Sequence, residues 1–183
     1  ITTLLSATSA GLYRSTNSGQ NWARKITGVA WTVVGHPNRP GTFYASVTNS
    51  QRSPVTTVWK STDGGDNWTA LPTPLVSTQI ARVALAISRA DPDMVFALAA
   101  DYNTRQFAGL FRWNDATQAW STLPATGITT SMTAFPFTFG EQGEYNLVVA
   151  VDPRNSSRIW VAGVGAFASE GGGQTVRRTA SHV

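Results

Sequence analysis

One eight-residue pattern constrains the fold of this chain more than any other feature of the sequence. Residues Ser61 to Trp68 read S-T-D-G-G-D-N-W and lie between two short apolar runs. An Asp followed by two glycines favours a tight turn between strands, because the carboxylate accepts backbone N–H groups and glycine adopts positive φ. The tryptophan that follows is a large apolar anchor. We therefore expect Asp63 to organise a turn and Trp68 to fix the returning strand to a core.

The octet recurs three more times. Residues Ser15 to Trp22 repeat it closely, with Asn17 in place of the Asp, whereas Trp113 to Trp120 and Ser169 to Val176 are degraded copies. The closing positions 22, 68, 120 and 176 are 46, 52 and 56 residues apart. A period of this length is typical of repeat architectures in which neighbouring units share a core. The residues predicted to build these turns are Ser15, Asn17, Gly19, Trp22, Ser61, Asp63, Gly65, Trp68, Asp115, Trp120, Ser169 and Gly173.

A second motif alternates with the octets. His36-Pro37-Asn38, Asp91-Pro92-Asp93 and Asp152-Pro153-Arg154 each separate two apolar runs. Proline cannot donate to a β-ladder and favours tight turns, so each motif predicts a strand, a turn and a second strand. Together with the octets, these motifs predict four strands in each repeat.

The pattern S-x-D-x-G-x-x-W, with its interleaved proline turns, resembles the Asp-box (BNR) repeat of β-propellers. Families that carry this repeat include sialidases, xyloglucanase-type glycoside hydrolases and sortilin-type receptor ectodomains. The resemblance covers essentially the whole chain and implies an all-β fold of four-stranded antiparallel blades. It also implies that the boxes are structural turns remote from the ligand face, so it does not specify a function. We expect one propeller segment with blades at 1–26, 27–71, 72–123 and 124–180.

The predicted blades do not complete a ring. The first blade begins at a second strand, so the sequence supplies about three and three-quarter blades, whereas such rings close with typically four to eight. An open arc would expose the apolar faces of its two end blades. We therefore expect the remainder of a longer polypeptide, or another chain, to complete a propeller of about seven or eight blades.

Composition argues against several classes of protein. Charged residues make up 13% and aromatic residues 10% of the chain, which is typical of a folded, rather polar β protein. The net charge of +4 comes from scattered arginines without a basic stripe, so we expect no nucleic-acid partner. The chain has no cysteine and no apolar run of 18 residues, so we expect neither a disulfide nor a membrane span. The resemblance implies an extracellular or cell-surface protein, of bacterial origin.

The two ends of the predicted sheets differ in their connections. Octets and proline turns lie at one end, which we call the turn face, and connections of variable length lie at the other, the loop face. Aromatic, carboxylate and arginine side chains on the loop face favour recognition of a glycan or a protein. The candidate ligand-binding residues are Arg52, Tyr102, Arg105, Phe107, Phe137 and Tyr145. The alternative is that the phenylalanines fold the long connection onto its blade and the charges are solvated.

Catalytic chemistry is only weakly indicated. Glycosidases need two carboxylates across a sugar, and the acids of the loop face are Asp101, Glu141 and Glu144, none of which lies in a motif. His36 stands in a predicted turn and His182 near the terminus, and neither suggests a metal site or a triad, so we expect no metal and no cofactor. Two functions stay open: a propeller that binds a glycan or protein without catalysis, and part of a sialidase-like or xyloglucanase-like glycoside hydrolase.

Overall fold

A computed structural model of the chain describes residues 3–49, 55–72, 80–127, 143 and 145–180. Within these residues the regular structure is entirely β, and no helix long and apolar enough to cross a membrane is present. The strands are β1 (Leu4–Thr8), β2 (Gly11–Ser15), β3 (Ala23–Ile26), β4 (Val29–Gly35), β5 (Phe43–Thr48), β6 (Thr56–Ser61), β7 (Thr69–Ala70), β8 (Ile80–Ile87), β9 (Met94–Asp101), β10 (Phe107–Asn114), β11 (Ala119–Leu123), β12 (Val148–Val151), β13 (Ile159–Ala162), β14 (Ala166–Ser169) and β15 (Arg177–Ala180).

These strands form four antiparallel meanders that follow one another in the sequence. Sheet one holds β1 to β3, sheet two β4 to β7, sheet three β8 to β11 and sheet four β12 to β15. Consecutive sheets contact one another mainly through their first strands, since β4 contacts both β1 and β8, and β8 contacts β12. Successive four-stranded meanders packed in this way are the blades of a β-propeller. The prediction of an all-β propeller fold is confirmed.

Three apolar clusters separate the four sheets. Successive side chains of a strand point to opposite faces, so a strand between two sheets can serve both neighbours. In β9, Val95, Ala97 and Ala99 belong to the cluster between sheets two and three. The alternate residues Phe96 and Leu98 belong to the cluster between sheets three and four. The continuous apolar run of β9 therefore reflects burial on both of its faces.

The junction between sheets two and three also contains directional hydrogen bonds. The buried hydroxyl of Ser46 donates to the Val83 carbonyl at 2.6 Å, and that of Thr56 donates to the Ile80 carbonyl at 2.8 Å. Thr48 donates in the same way to the Ala81 carbonyl at 3.2 Å. The position of β8 is therefore set by polar contacts from the neighbouring sheet as well as by apolar packing.

The first two octets build the same turn. In the second, the Ser61 hydroxyl accepts the Gly65 N–H at 3.0 Å and donates to the Asp63 carboxylate at 2.8 Å. That carboxylate in turn accepts the Asn67 N–H at 2.9 Å, and the Trp68 indole donates to the Gly65 carbonyl at 3.0 Å. These hydrogen bonds hold the pKa of Asp63 well below its ordinary value, with those from Asn67 contributing most.

Equivalent bonds connect the residues of the first octet. Ser15 accepts the Gly19 N–H at 2.9 Å, Asn17 accepts the Asn21 N–H at 2.9 Å, and Trp22 donates to the Gly19 carbonyl at 3.0 Å. An amide oxygen therefore replaces the carboxylate oxygen as the acceptor in this turn.

The third octet differs, and the predicted turn role of Asp115 is wrong. Its hairpin is shorter, because Asn114 already pairs with Ala119, and the Asn114 side chain accepts the N–H groups of residues 116 and 117. The Asp115 carboxylate instead turns inward, where it accepts Lys60 Nζ at 2.7 Å and Arg39 Nη1 at 2.9 Å from sheet two. The cations of the neighbouring sheet decide the orientation of this side chain, since a buried carboxylate needs a partner of opposite charge.

The fourth octet keeps part of the turn. Ser169 accepts the N–H groups of Gly171 and Gly173 at 3.2 and 3.0 Å. Val176 closes the octet and is buried in the cluster between sheets three and four. The tryptophans at the matching position behave alike, since Trp68 packs between sheets one and two and Trp120 between sheets two and three. The closing residue of an octet thus packs against the preceding sheet.

Candidate functional site

The loop face contains a tryptophan–arginine stack on two neighbouring first strands. The Arg82 guanidinium carbon of β8 lies 5.4 Å from the centroid of the Trp31 ring of β4. Both residues are half-buried, and both lie near the start of their strands, where the loop-face connections enter. A guanidinium over an indole is attracted by the negative face of the ring. The stack therefore joins sheets two and three at the loop face.

A register irregularity accompanies each partner of the stack. The pairing of β4 with β5 shifts between Ala30 and Thr32, and that of β8 with β9 shifts between Ile80 and Arg82. Bulges bend a strand and redirect a side chain, and they are common beside functional sites. The two irregularities therefore provide the local reason why Trp31 and Arg82 meet.

Two threonine hydroxyl groups hold the Trp31 side chain in place. The Trp31 indole N–H donates to Thr48 Oγ1 at 2.7 Å, and that oxygen lies 2.7 Å from Thr56 Oγ1. Burial lowers the pKa of Arg82 from its ordinary value, but a guanidinium stays protonated at neutral pH. The stack is thus a fixed aromatic surface with a permanent positive charge against it.

The connection from β9 to β10 is an ordered turn around Asp101. The Asp101 carboxylate accepts the N–H of Asn103 at 2.9 Å and both the N–H and the hydroxyl of Thr104, at 2.8 and 3.1 Å. The sequence indicated Asp101 as a candidate catalytic acid. In the structure, its Oδ1 atom already accepts two backbone N–H groups of its own loop. Its position is that of a turn-forming residue.

Gly143 attaches to this turn. Its N–H donates to the carbonyl of Arg105 at 2.9 Å, and Arg105 has a left-handed φ of 54°. A Cβ atom added at Gly143 would lie 2.3 Å from that carbonyl oxygen, so only glycine fits this close approach. Tyr145 lies two residues further on, in the connection that leads to β12 on the loop face.

The sequence-predicted ligand residues fall into three groups. Tyr102, Arg105 and Tyr145 are exposed on the loop face. Phe107 instead packs against the cluster between sheets three and four, because it begins a strand whose side chains enter that core. Arg52, Phe137, Glu141 and Glu144 lie outside the described residues.

Neither Trp31 nor Arg82 is among the candidate ligand-binding residues predicted from the sequence. The one signal for Trp31 in the sequence is a large aromatic residue within V-A-W-T-V-V, a run otherwise made of small and β-branched residues. Within the ranges that the structure describes, no three His, Cys, Asp or Glu side chains converge as a metal site would require.

Comparisons with known proteins identify the fold. No family model matches this sequence, and no curated protein matches it either. Among solved structures, a GH74 enzyme from Niastella koreensis matches 98% of this chain with 22% identity and a TM-score of 0.66. The GH74 xyloglucanase from Xanthomonas campestris matches 97% of the chain with 16% identity and a TM-score of 0.63. In each case this chain spans only 28% of the length of the matched protein. At these identities the likeness is one of fold, and it shows that the chain is built as a segment of β-propeller.

Proposed function

We propose that the loop face binds a glycan without catalysis, and that Trp31 and Arg82 form the centre of the binding surface. The stack between these two side chains, 5.4 Å apart, is the observation that carries the proposal. Sugars have apolar C–H faces that pack on aromatic rings, and hydroxyl groups that accept hydrogen bonds from a guanidinium. The exposed rings of Tyr102 and Tyr145 supply further apolar contact on the same face.

Rigidity of the stack supports this function. Trp31 is held at its indole N–H by Thr48, so little rotamer freedom is lost when a ligand binds. The turn capped by Asp101 fixes the connection that carries Tyr102. Such a surface is already arranged for a ligand, as in most small-molecule and glycan sites.

Part of a glycoside hydrolase is the second candidate function. The likeness to two GH74 enzymes favours it, although the described part of the chain contains no pair of free carboxylates on the loop face. In that case Glu141 and Glu144 are the acids to test. In both cases we propose an extracellular or cell-surface location, because a polysaccharide ligand lies outside the cell. The turns around Asp63 and Asn17 support a place among Asp-box propellers.

A glycan array followed by calorimetric titration tests the binding proposal. Loss of one aromatic stack and one guanidinium hydrogen bond amounts to about 2 kcal/mol. Trp31→Ala removes both the stack and the ring that positions the Arg82 guanidinium, so we expect it to raise the dissociation constant of the best glycan about 30-fold. Trp22→Ala is the matched control, since it removes a tryptophan from the turn face and should leave the affinity unchanged. Unchanged binding by Trp31→Ala and Arg82→Ala would contradict the assignment.

A turnover assay separates the two candidates. Xyloglucan and sialylated substrates are incubated with the chain, and new reducing ends or free sialic acid are measured. Hydrolysis that disappears in Glu141→Gln or Glu144→Gln, but not in Asp101→Asn, would replace the binding function by the glycosidase function. Binding without hydrolysis supports the first proposal. Binding of a protein but of no glycan would contradict both.

A further inference from the structure

The residue before an octet reaches across to the next sheet at two junctions. Arg14 precedes the first octet and Lys60 precedes the second. Arg14 Nη1 donates to the Asp66 carboxylate of the second octet at 3.2 Å. Lys60 Nζ donates to the Asp115 carboxylate of the third octet at 2.7 Å. The two junctions therefore contain equivalent cations, and their charges can be compared.

The charges balance at the junction between sheets two and three. Arg39 pairs with Asp93 at 2.6 Å and with Asp115 at 2.9 Å, and Lys60 pairs with Asp115 at 2.7 Å. Two cations of sheet two therefore meet two carboxylates of sheet three. No charge is left over among these four side chains.

The charges do not balance at the junction between sheets one and two. Arg14 and Lys25 of sheet one both donate to a single oxygen, Oδ1 of Asp66, at 3.2 and 2.5 Å. These contacts, with that from Lys25 contributing most, hold the pKa of Asp66 below its ordinary value. The nearby Asp63 carboxylate accepts the hydrogen bonds of its own turn. Two cations thus share one ionised carboxylate, and one positive charge is left over among these three side chains.

The two cations of sheet one line a cleft beside the first octet, which we call the octet cleft. Its volume is about 250 Å³, and its polar lining consists of Arg14, Lys25, Thr16, Asn17 and Asn21. Among the residues that the structure describes, no carboxylate lines it. The Arg14 and Lys25 side chains are only 19% and 23% exposed, so their charges are partly shielded from water. The surplus positive charge therefore lies in a concave site and not on a flat surface.

Several donors of the octet cleft are unused. Lys25 Nζ makes one of the three hydrogen bonds that an ammonium group can donate. Asn17 uses its side-chain oxygen within the octet turn, which leaves its Nδ2 group as a donor. In the described part of the chain, the Thr16 hydroxyl and the Asn21 side-chain amide have no hydrogen-bond partner. Unused donors together with a surplus positive charge suit an anion that accepts hydrogen bonds.

We propose that the octet cleft binds a small hydroxylated carboxylic acid, such as a sugar acid, with its carboxylate at Arg14 and Lys25. A carboxylate carries the single negative charge that balances this junction, whereas a phosphate group carries about −1.5 to −2. The cleft has about eight times the ~30 Å³ that one water molecule occupies, so it also has room for the hydroxylated part of the ligand. The amide groups of Asn17 and Asn21 are the partners for those hydroxyl groups. This site lies on the turn face and is separate from the loop-face glycan site proposed above.

An NMR titration of the isotope-labelled 183-residue chain with sodium glucuronate tests this assignment. Sodium chloride keeps the ionic strength constant, because exposed ion pairs weaken as salt rises. We expect amide shifts that centre on Thr16, Asn17 and Asn21 and saturate with a dissociation constant in the millimolar range. Glucose has a similar ring without the carboxylate and should cause no such shifts.

Three variants locate the site. Lys25→Gln removes one cation but keeps the ion pair of Arg14 with Asp66, so it should raise the dissociation constant for glucuronate at least about fivefold. Asn21→Asp places a carboxylate beside the two cations and should abolish the binding. Arg154→Gln is the matched control, because it removes the same charge from an exposed position on the turn face and should leave the constant unchanged. Unchanged amide positions elsewhere in the spectrum establish that each variant is folded.

Several results would overturn the proposal. One is the absence of saturable shifts at the octet cleft up to about 100 mM glucuronate. Another is equal weakening by Lys25→Gln and Arg154→Gln, which would show that only the net charge of the protein matters. Tighter binding of inorganic phosphate than of glucuronate would contradict the match to a single negative charge. Trp31→Ala should bind glucuronate at the octet cleft as the wild type does, so the result does not depend on the loop-face proposal.

Discussion

Replacement of Asp115 by Asn should destabilise the protein through the junction of sheets two and three. The Asp115 side chain is only 3% exposed and accepts hydrogen bonds from Lys60 at 2.7 Å, Arg39 at 2.9 Å and Trp113 at 3.1 Å. Burial alone would raise the pKa of Asp115, but the hydrogen bond from Lys60, together with that from Trp113 and the charge of Lys60, holds it at about 2. The native structure therefore favours the ionised carboxylate.

The size of the effect follows from that pKa. A value of about 2 in the folded state, against an ordinary value of 3.8, corresponds to about 2 kcal/mol of stability at neutral pH. Because the folded-state pKa is the lower one, this stability is present above about pH 4 and is lost as the pH falls towards 2. The Asn side chain nearly preserves the shape but leaves Lys60 facing an uncharged amide, so we expect Asp115→Asn to lose about 2 to 3 kcal/mol.

Urea unfolding monitored by tryptophan fluorescence measures this loss. The free energy of unfolding should differ between wild type and variant at pH 7, and the difference should shrink between about pH 4 and pH 2. Glu170→Gln is the matched control, because it neutralises a carboxylate whose ion pair with Arg158 is largely exposed and therefore contributes little to stability. Equal stability of Asp115→Asn and wild type at pH 7, or a difference that does not change with pH, would refute the reasoning.

Two further predictions concern the sheet junctions. Trp68→Ala should lower the free energy of unfolding by about 3 kcal/mol, which is at the low end for a core aromatic residue because the ring is half-buried. Trp22→Ala removes a more exposed ring, so its loss should be clearly smaller when urea unfolding is measured on dilute protein. Equal losses of the two variants would contradict the packing described. Ser46→Ala should cost about 1 kcal/mol, because it removes the 2.6 Å hydrogen bond to the buried Val83 carbonyl. Ser121→Ala, at an exposed hydroxyl, should change the free energy of unfolding by less than about 0.5 kcal/mol, and a Ser46→Ala loss no larger than this would contradict the prediction.

The fold could be predicted from the sequence because its signals are local. Turn chemistry at Ser61 to Trp68 and the proline turn at Asp91 to Asp93 each depend on residues within one short segment, and their spacing reveals the repeat. The apolar run of β9 likewise indicates burial on both faces without knowledge of the partner sheets. Each of these features follows from backbone sterics and side-chain polarity in the immediate neighbourhood.

The candidate site and the role of Asp115 could not be predicted in this way. Trp31 and Arg82 belong to different sheets and meet because two strands change register, a feature that no residue pattern in either strand announces. Asp115 and its neighbour Asn114 are both able to cap a turn. The choice between them is made by Lys60 of another sheet, so it depends on tertiary structure.

The hydroxyl groups between sheets two and three also help to protect the protein from aggregation. β8 is one of the two edge strands of sheet three, and an open edge is a template on which a foreign strand can add and start aggregation. Natural sheets usually protect such edges with charges, prolines or bulges on the edge strand itself. Here part of that protection comes from outside the strand, since Ser46, Thr48 and Thr56 occupy carbonyl groups of β8 that would otherwise be free to accept an incoming chain. Correct stacking of the second sheet is therefore also what keeps the edge of the third from recruiting another molecule.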